Sequence, residues 1–344
     1  MAEPSPGLML AADAGIHPLP LPTPFLVGRV NCYLVEDQPL TLIDTGPNSG
    51  KSLDELQQAL AARGRKIEDL ELIVLTHQHM DHIGLLEVLV RRSGADVAAI
   101  EPLVGYLENF SASATADDEF AQRIMRRHGV PDDLATVLGS VGAAFRAFGS
   151  SGRVTTPLRD GEELALAHRR LRVLHRPGHS PSDTVFFDEE RGILLGGDHL
   201  LARISSNPLV SRPLDGGSDS SGHGSTERPR ALIGYMNSLR RTAELPAKVV
   251  LGGHGEPVLD HVALIEERFR MHERRAHKVL RVLGSSSLSA WEIALEMWGN
   301  VAVTQAYLTL SEVLGHLDLL LADGRIHEGE DGKCLRFSAS GGGG

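Results

Sequence analysis

The chain has 344 residues, 42% apolar and 23% charged, which is enough apolar material for a sizeable core and too little charge for a disordered polymer. At ~100–200 residues per domain, this length predicts two domains, or one large domain with an appendage. A formal charge of −11 argues against generic binding to nucleic acid or to an anionic membrane, since both need a basic footprint.

The two cysteines, Cys32 and Cys334, match no metal-ligand spacing. They predict a reducing compartment and no disulfide framework. Residues 1–25 lack a basic segment and are broken by Pro4, Pro6, Pro18, Pro20, Pro22 and Pro24, so they do not read as an export signal. With no apolar run of ~20 residues for a membrane crossing, the cytoplasm is the expected location. Sixteen histidines are the compositional oddity, and they cluster.

In chain order, residues 30–35 are β-rich, Asp37, Gln38 and Pro39 turn, and 40–43 is a second apolar run ending in the turn cluster 44–48. Leu53, Leu56, Leu60 and Ala61 recur at helical spacing. A buried strand at 71–76 leads into the histidine cluster, and 83–92 reads as a helix stopped at Ser93 and Gly94. Another strand is expected at 97–100. Strands alternating with helices define an α/β domain. Residues 104–149 break the rhythm with Phe110, Phe120, Ile124, Met125, Leu138, Val141, Phe145 and Phe148. They predict a helical insertion, which either covers the active site or packs as core. Strands resume at 171–174, 184–187, 193–195 and 249–251, and 212–230 reads as a mobile Gly/Ser/Asp/Pro-rich loop.

Past residue 261 the character changes. Helices are expected at 265–283, at 287–298 with a serine cap, and at 305–321. A hairpin follows, formed by 323–328 and 333–337. Three helices and a hairpin are similar to a winged helix, which divides the chain into 1–261 and 262–344. A DNA-reading role fails on charge. Residues 304–322 contain no Lys or Arg, Glu312 and Asp318 are acidic, and so is the wing turn with Glu328, Glu330 and Asp331. The expected role of this unit is packing, homodimer formation or a wall of the substrate site. Residues 341–344 read as a flexible tail.

The chemistry concentrates after the 71–76 strand, in Thr76, His77, Gln78, His79, Met80, Asp81 and His82. Two histidines at i and i+2 on an extended segment point the same way and can share a metal. Asp81 and His82 open the next helix, where a carboxylate also suits the free backbone N–H groups. Four ligand-type side chains in six residues exceed what one tetrahedral ion needs locally, so two metals are the natural reading. Three further candidates each follow a β-run in a glycine turn: His179 after Gly178, Asp198 after Gly197, and His254 after Gly253.

These motifs, together with Val30-Asn31-Cys32-Tyr33 and Leu42-Ile43-Asp44-Thr45-Gly46, resemble in order those of the metallo-β-lactamase-fold superfamily over roughly residues 20–260. The resemblance implies an αββα sandwich with the metals at one edge of the paired sheets, to which the helical insertion and the C-terminal winged-helix-like domain are added. It assigns His77, His79 and His179 to a first metal and Asp81, His82 and His254 to a second, with Asp198 bridging. Asp44 supports the ligand loops without binding. The implied cofactors are two divalent ions, zinc by ligand type, with iron or manganese also compatible. No cysteine lies near any ligand motif, which sets the chain apart from relatives with a cysteine in the second site.

Two cations would activate a water, and Asp81 would move the proton. The expected activity is hydrolysis of an ester, thioester or lactone of a small metabolite or acyl carrier, in the manner of glyoxalase-II-type thioesterases. The C-terminal unit also resembles the β-lactamase-like-protein-2 group, which implies an alternative: cleavage of single-stranded RNA. That alternative predicts a basic groove with Arg123, Arg126, Arg127, Arg169 and Arg170. The overall charge makes nucleic acid the disfavoured partner.

Overall fold

The computed structural model describes residues 5–214 and 228–340, so most of the predicted 212–230 loop and all of the 341–344 tail lie outside the described residues. Among the described residues, fourteen strands form three sheets. The first holds β1 (Ile16–Leu21), β2 (Val30–Val35), β3 (Thr41–Ile43), β4 (Leu72–Val74), β5 (Asp96–Ile100) and β6 (Thr156–Leu158), in that spatial order. β1 to β3 are antiparallel, and β3 to β6 run parallel. The second sheet has the order β11-β10-β9-β8-β7, from β7 (Glu163–Ala165), β8 (Arg170–His175), β9 (Thr184–Asp188), β10 (Ile193–Gly197) and β11 (Val249–Gly252). The third, small sheet joins β12 (Ser287–Leu288) and β13 (Ile326–Asp331) to opposite sides of β14 (Cys334–Ala339).

The period-two alternation of strand side chains explains the layering. Phe186, Ile193, Leu195, Val249 and Leu251 join the core shared with the first sheet. Their neighbours Val185, Phe187, Leu194 and Val250 face the other way, into a core with Leu232, Tyr235 and Leu239. Helices cover both outer faces. α1 (Pro6–Asp13) precedes β1; α2 (Gly50–Ala61), α3 (Met80–Ile83) and α4 (Leu86–Ser93) accompany the first sheet, and Leu56, Leu60, Leu86 and Leu89 are fully buried there. The predicted helix at 83–92 is therefore two helices, broken at Gly84 and Leu85, and Gly94 ends α4 at φ 73°.

The insertion is helical as expected: α5 (Val104–Glu108), α6 (Phe110–Arg127) and α7 (Asp132–Phe145). α8 (Ala231–Ala243) and α9 (His261–Leu283) cover the second sheet. α10 (Ala290–Trp298), α11 (Asn300–Thr304) and α12 (Ala306–Ala322) complete the C-terminal region, and Ser289 caps α10 by accepting from Glu292 N.

The two regions are stitched together. Ile265 at the start of α9 belongs to the second-sheet core, whereas Ala276, Val279 and Leu283 further along it belong to the C-terminal core. Phe120, Ile124 and Met125 of α6 share that second core with Trp291, Leu310, Leu314 and Phe337. The insertion is thus wedged between the catalytic layers and α12. The acidic side chains of α12 are used internally. Asp318 takes two bonds of 2.7 Å from buried Arg228, and Glu312 pairs with Arg275 at 2.6 Å. Among the described residues no helix is long and apolar enough to cross a membrane.

Candidate metal centre

His77, His79, His179, Asp198 and His254 lie on segments leaving strands, Asp81 and His82 lie in α3, and all seven converge. Three groups of donors each lie within 4.8 Å: His77, His79 and His179; His77, His82 and Asp198; and Asp81, His82 and His254. His79 Nδ1 lies 3.1 Å from His77 Nε2 and 2.8 Å from His179 Nε2. The Asp198 carboxylate stands between the two triads, with Oδ2 3.5 Å from His179 Nε2 and 3.4 Å from His254 Nε2, and Oδ1 3.5 Å from His82 Nε2. Asp81 Oδ2 approaches His254 Nε2 at 3.4 Å.

The outward ring nitrogens fix the inward ones. His82 donates Nδ1–H to Asp44 Oδ2 at 2.7 Å, His254 donates to Arg29 O at 2.8 Å, and His179 to Asn207 O at 3.2 Å. Thr76 gives its hydroxyl proton to Asp44 Oδ2, so its oxygen accepts from His77 Nδ1 at 3.0 Å. These bonds assign the tautomers and aim four Nε2 lone pairs at the cluster; His79 contributes Nδ1. Asp44 also accepts from Thr76 N at 2.8 Å and holds a left-handed φ of 58°. It lies outside the donor groups and braces them.

The donor set fits a cation on its own terms. His82 Nε2, His254 Nε2 and Asp198 Oδ1 are buried and have no hydrogen-bond partner, an expensive state unless something binds there. Burial, reinforced by neighbouring histidines, keeps His77 far below its usual range and His79 at about 3, so both offer lone pairs. Burial opposes charge on His254, but Asp198 and Asp81 outweigh it and raise the group to about 10. The second half of the cluster therefore demands positive charge.

Close approach explains one glycine. A Cβ on Gly253 would lie 2.3 Å from Asp198 Oδ1 and 2.7 Å from His82 Cε1. The turn it belongs to is held by β2: Tyr33 donates to Gly252 O at 2.7 Å, and Asn31 Nδ2 donates to the same oxygen at 3.1 Å. The sequence reading missed the contributions of Arg29 and Asn207, which act through carbonyl oxygens that any residue carries. It also missed Ser182, which accepts from Gln78 N at 3.1 Å and steadies the His77–His79 segment.

This fold and donor cluster define the class. The chain belongs to the metallo-beta-lactamase superfamily, whose profile matches residues 26–254, and it is a hydrolase of that superfamily. It is 36% identical over 322 residues to the probable metallo-hydrolase YqjP of Bacillus subtilis, covering 92% of this chain and 95% of that protein. Among solved structures, the metallo-beta-lactamase family protein TTHA1429 of Thermus thermophilus superposes with a TM-score of 0.77 at 30% identity, over 95% and 99% of the two chains. Two more distant relatives differ in name. One is the atrochrysone carboxyl ACP thioesterase of Aspergillus fumigatus, 23% identical over 82% of this chain and 50% of that protein. The other is the beta-lactamase-like protein 2 homolog of Caenorhabditis elegans, 24% identical over 89% and 83%.

Proposed function

We propose that the seven side chains hold two divalent ions, zinc by donor type, and that the protein hydrolyses an ester, thioester or lactone of a small metabolite or acyl carrier. His77, His79 and His179 hold one ion, Asp81, His82 and His254 the other, and Asp198 bridges. The observation that carries this reading is the placement of Asp198 between two complete triads. Two ions so placed would supply Lewis acidity at the scissile carbonyl and lower the pKa of an attacking water.

The chain's own groups do the rest. The Asp81 carboxylate, 3.4 Å from His254 Nε2, can accept the proton of the attacking water and pass it to the leaving group. Four of the five imidazoles, His77, His82, His179 and His254, are locked by outward hydrogen bonds and need no reorganisation as charge develops. A cavity walled by Met80, Phe120 and Val210 adjoins His79 and offers an apolar seat for an acyl group.

The arginines that an RNA substrate would call upon are engaged elsewhere. Arg126 pairs with Asp132, Arg127 with Glu330, Arg170 with Glu163, and buried Arg169 with Asp37 and Asp188. Arg123 lies 5.3 Å from the centre of the Phe120 ring. The name of the Aspergillus relative, a carrier-protein thioesterase, points the same way as the apolar seat.

The test is hydrolysis of short acyl thioesters, lactones and single-stranded RNA by zinc-loaded and manganese-loaded protein, with a chelated sample as blank. Metal-dependent acyl cleavage with intact RNA is expected. Cleaved RNA with untouched acyl substrates would contradict the proposal.

A further inference from the structure

The cavity beside His79 has a volume of about 160 Å3, and its walls come from four parts of the chain. Met80 leads from the histidine cluster, Tyr106, Asp117 and Phe120 come from α5 and α6 of the insertion, and Tyr307 comes from α12. Val210 and Arg212 close it from a strap that follows Asp198. That strap is anchored on the C-terminal helix. The Tyr307 hydroxyl donates to Val210 O, and Val210 N donates to Ser311 Oγ at 3.3 Å.

The cavity lining sets apolar Met80, Phe120 and Val210 beside polar groups, among them one ion pair. Within that pair Arg212 Nε donates to Asp117 Oδ1 at 3.0 Å. The two ion-pair side chains keep 27% and 34% of their surface accessible, so a guest can reach them. Size and polarity then select the guest. A cavity of this volume is below the roughly 300–1,000 Å3 of pockets for drug-sized ligands. The ion pair is net neutral, with donors on Arg212 and lone pairs on Asp117. An alkyl end would displace water from both groups and return no hydrogen bond. A charged end would be attracted by one member of the pair and repelled by the other. A group that both donates and accepts satisfies the two together.

We propose that this cavity is the acyl-side specificity pocket, and that it takes a short acyl chain ending in an uncharged hydroxyl or amide, read by Asp117 and Arg212. The proposal rests on the acyl-hydrolase reading above, and it makes the C-terminal helix, through Tyr307 and the strap, part of the substrate site.

The experiment uses the zinc-loaded full chain and N-acetylcysteamine thioesters of 3-hydroxybutanoate, succinamate, butanoate, succinate and decanoate. The better of the two hydroxyl- or amide-bearing thioesters is expected to exceed the other three in kcat/KM by about tenfold or more, as in sites built to bond a polar group. In the Asp117→Leu/Arg212→Leu double variant that ratio falls toward one. Saturation-transfer NMR of 3-hydroxybutanamide on metal-free protein gives a signal that the double variant loses. A wild-type preference for butanoyl, succinyl or decanoyl thioester, or an unchanged ratio in the double variant, overturns the proposal. If no thioester is cleaved but the amide still binds, the pocket stands and the acyl-hydrolase reading falls. Cleavage with neither preference nor binding does the reverse.

Discussion

His179 presents Nδ1 to the carbonyl oxygen of Asn207 at 3.2 Å, and Asn207 donates its side-chain amide to Leu308 O at 3.1 Å. A histidine of the catalytic cluster is thereby oriented by a strap tied to α12, more than a hundred residues further along the chain. Groups that orient metal-binding histidines typically matter 10–100-fold in metal affinity. Asn207→Ala keeps the carbonyl and cuts only the tether, so a loss of about tenfold in zinc affinity is expected. A competition titration against a chromophoric chelator measures it, and unchanged affinity would mean that the two bonds of Val210 to α12 hold the strap without Asn207.

Asp44 accepts three hydrogen bonds, from Thr76 N, Thr76 Oγ1 and His82 Nδ1. Asn tolerates its left-handed backbone but lacks the charge. Asp44→Asn should therefore fold and bind zinc roughly 10–100-fold more weakly. Asp44→Leu should lose on the order of 3 kcal/mol or more, because buried donors are stranded and the backbone is strained. Denaturant melts and metal titrations separate the two effects.

Arg228 and Asp318 form a buried two-pronged pair at 2.7 Å that joins the segment before α8 to α12. Asp318→Ala strands a guanidinium and should cost about 3–5 kcal/mol, whereas replacing both partners with apolar residues of similar volume should cost far less. Comparing the single and double variants by chemical denaturation decides it. Equal losses would show that the charge balance is unimportant.

Acid sensitivity should trace in part to Asp37. Burial opposes its charge, but the backbone N–H of Gln38, the Arg169 guanidinium and the backbone N–H of His168 outweigh this and hold the carboxyl below its usual range. A carboxyl lowered on folding contributes stability that is complete above the unfolded value, about pH 4, and fades as pH falls through the folded one. Asp37→Asn should lower Tm at neutral pH, and its gap from wild type should shrink in acid. A gap constant from pH 7 to 3 would refute the assignment.

Much of this is legible in the sequence because it is local. The strands at 184–187, 193–195 and 249–251 announce themselves by apolar runs, and each delivers its donor within a few residues of its end or start. The insertion and the C-terminal helices follow from helical spacing and the Ser289 cap. What escapes is tertiary. β1 carries Pro18 and Pro20 and is viable only as an edge strand, paired on one side with β2. The sequence reading also passes over α8. The carbonyls of Arg29 and Asn207 have no residue signature, and the pairing of Asp117 with Arg212 spans separate segments.

The central claim is a two-metal hydrolytic centre. Its most direct test is metal content by mass spectrometry, measured on zinc-reconstituted, dialysed protein alongside hydrolysis of an acyl thioester. Two zinc ions per chain are predicted, with turnover abolished by chelation and reduced on the order of a thousandfold or more in Asp198→Asn and His79→Ala. At most one ion per chain, or hydrolysis that survives metal removal, would contradict the account.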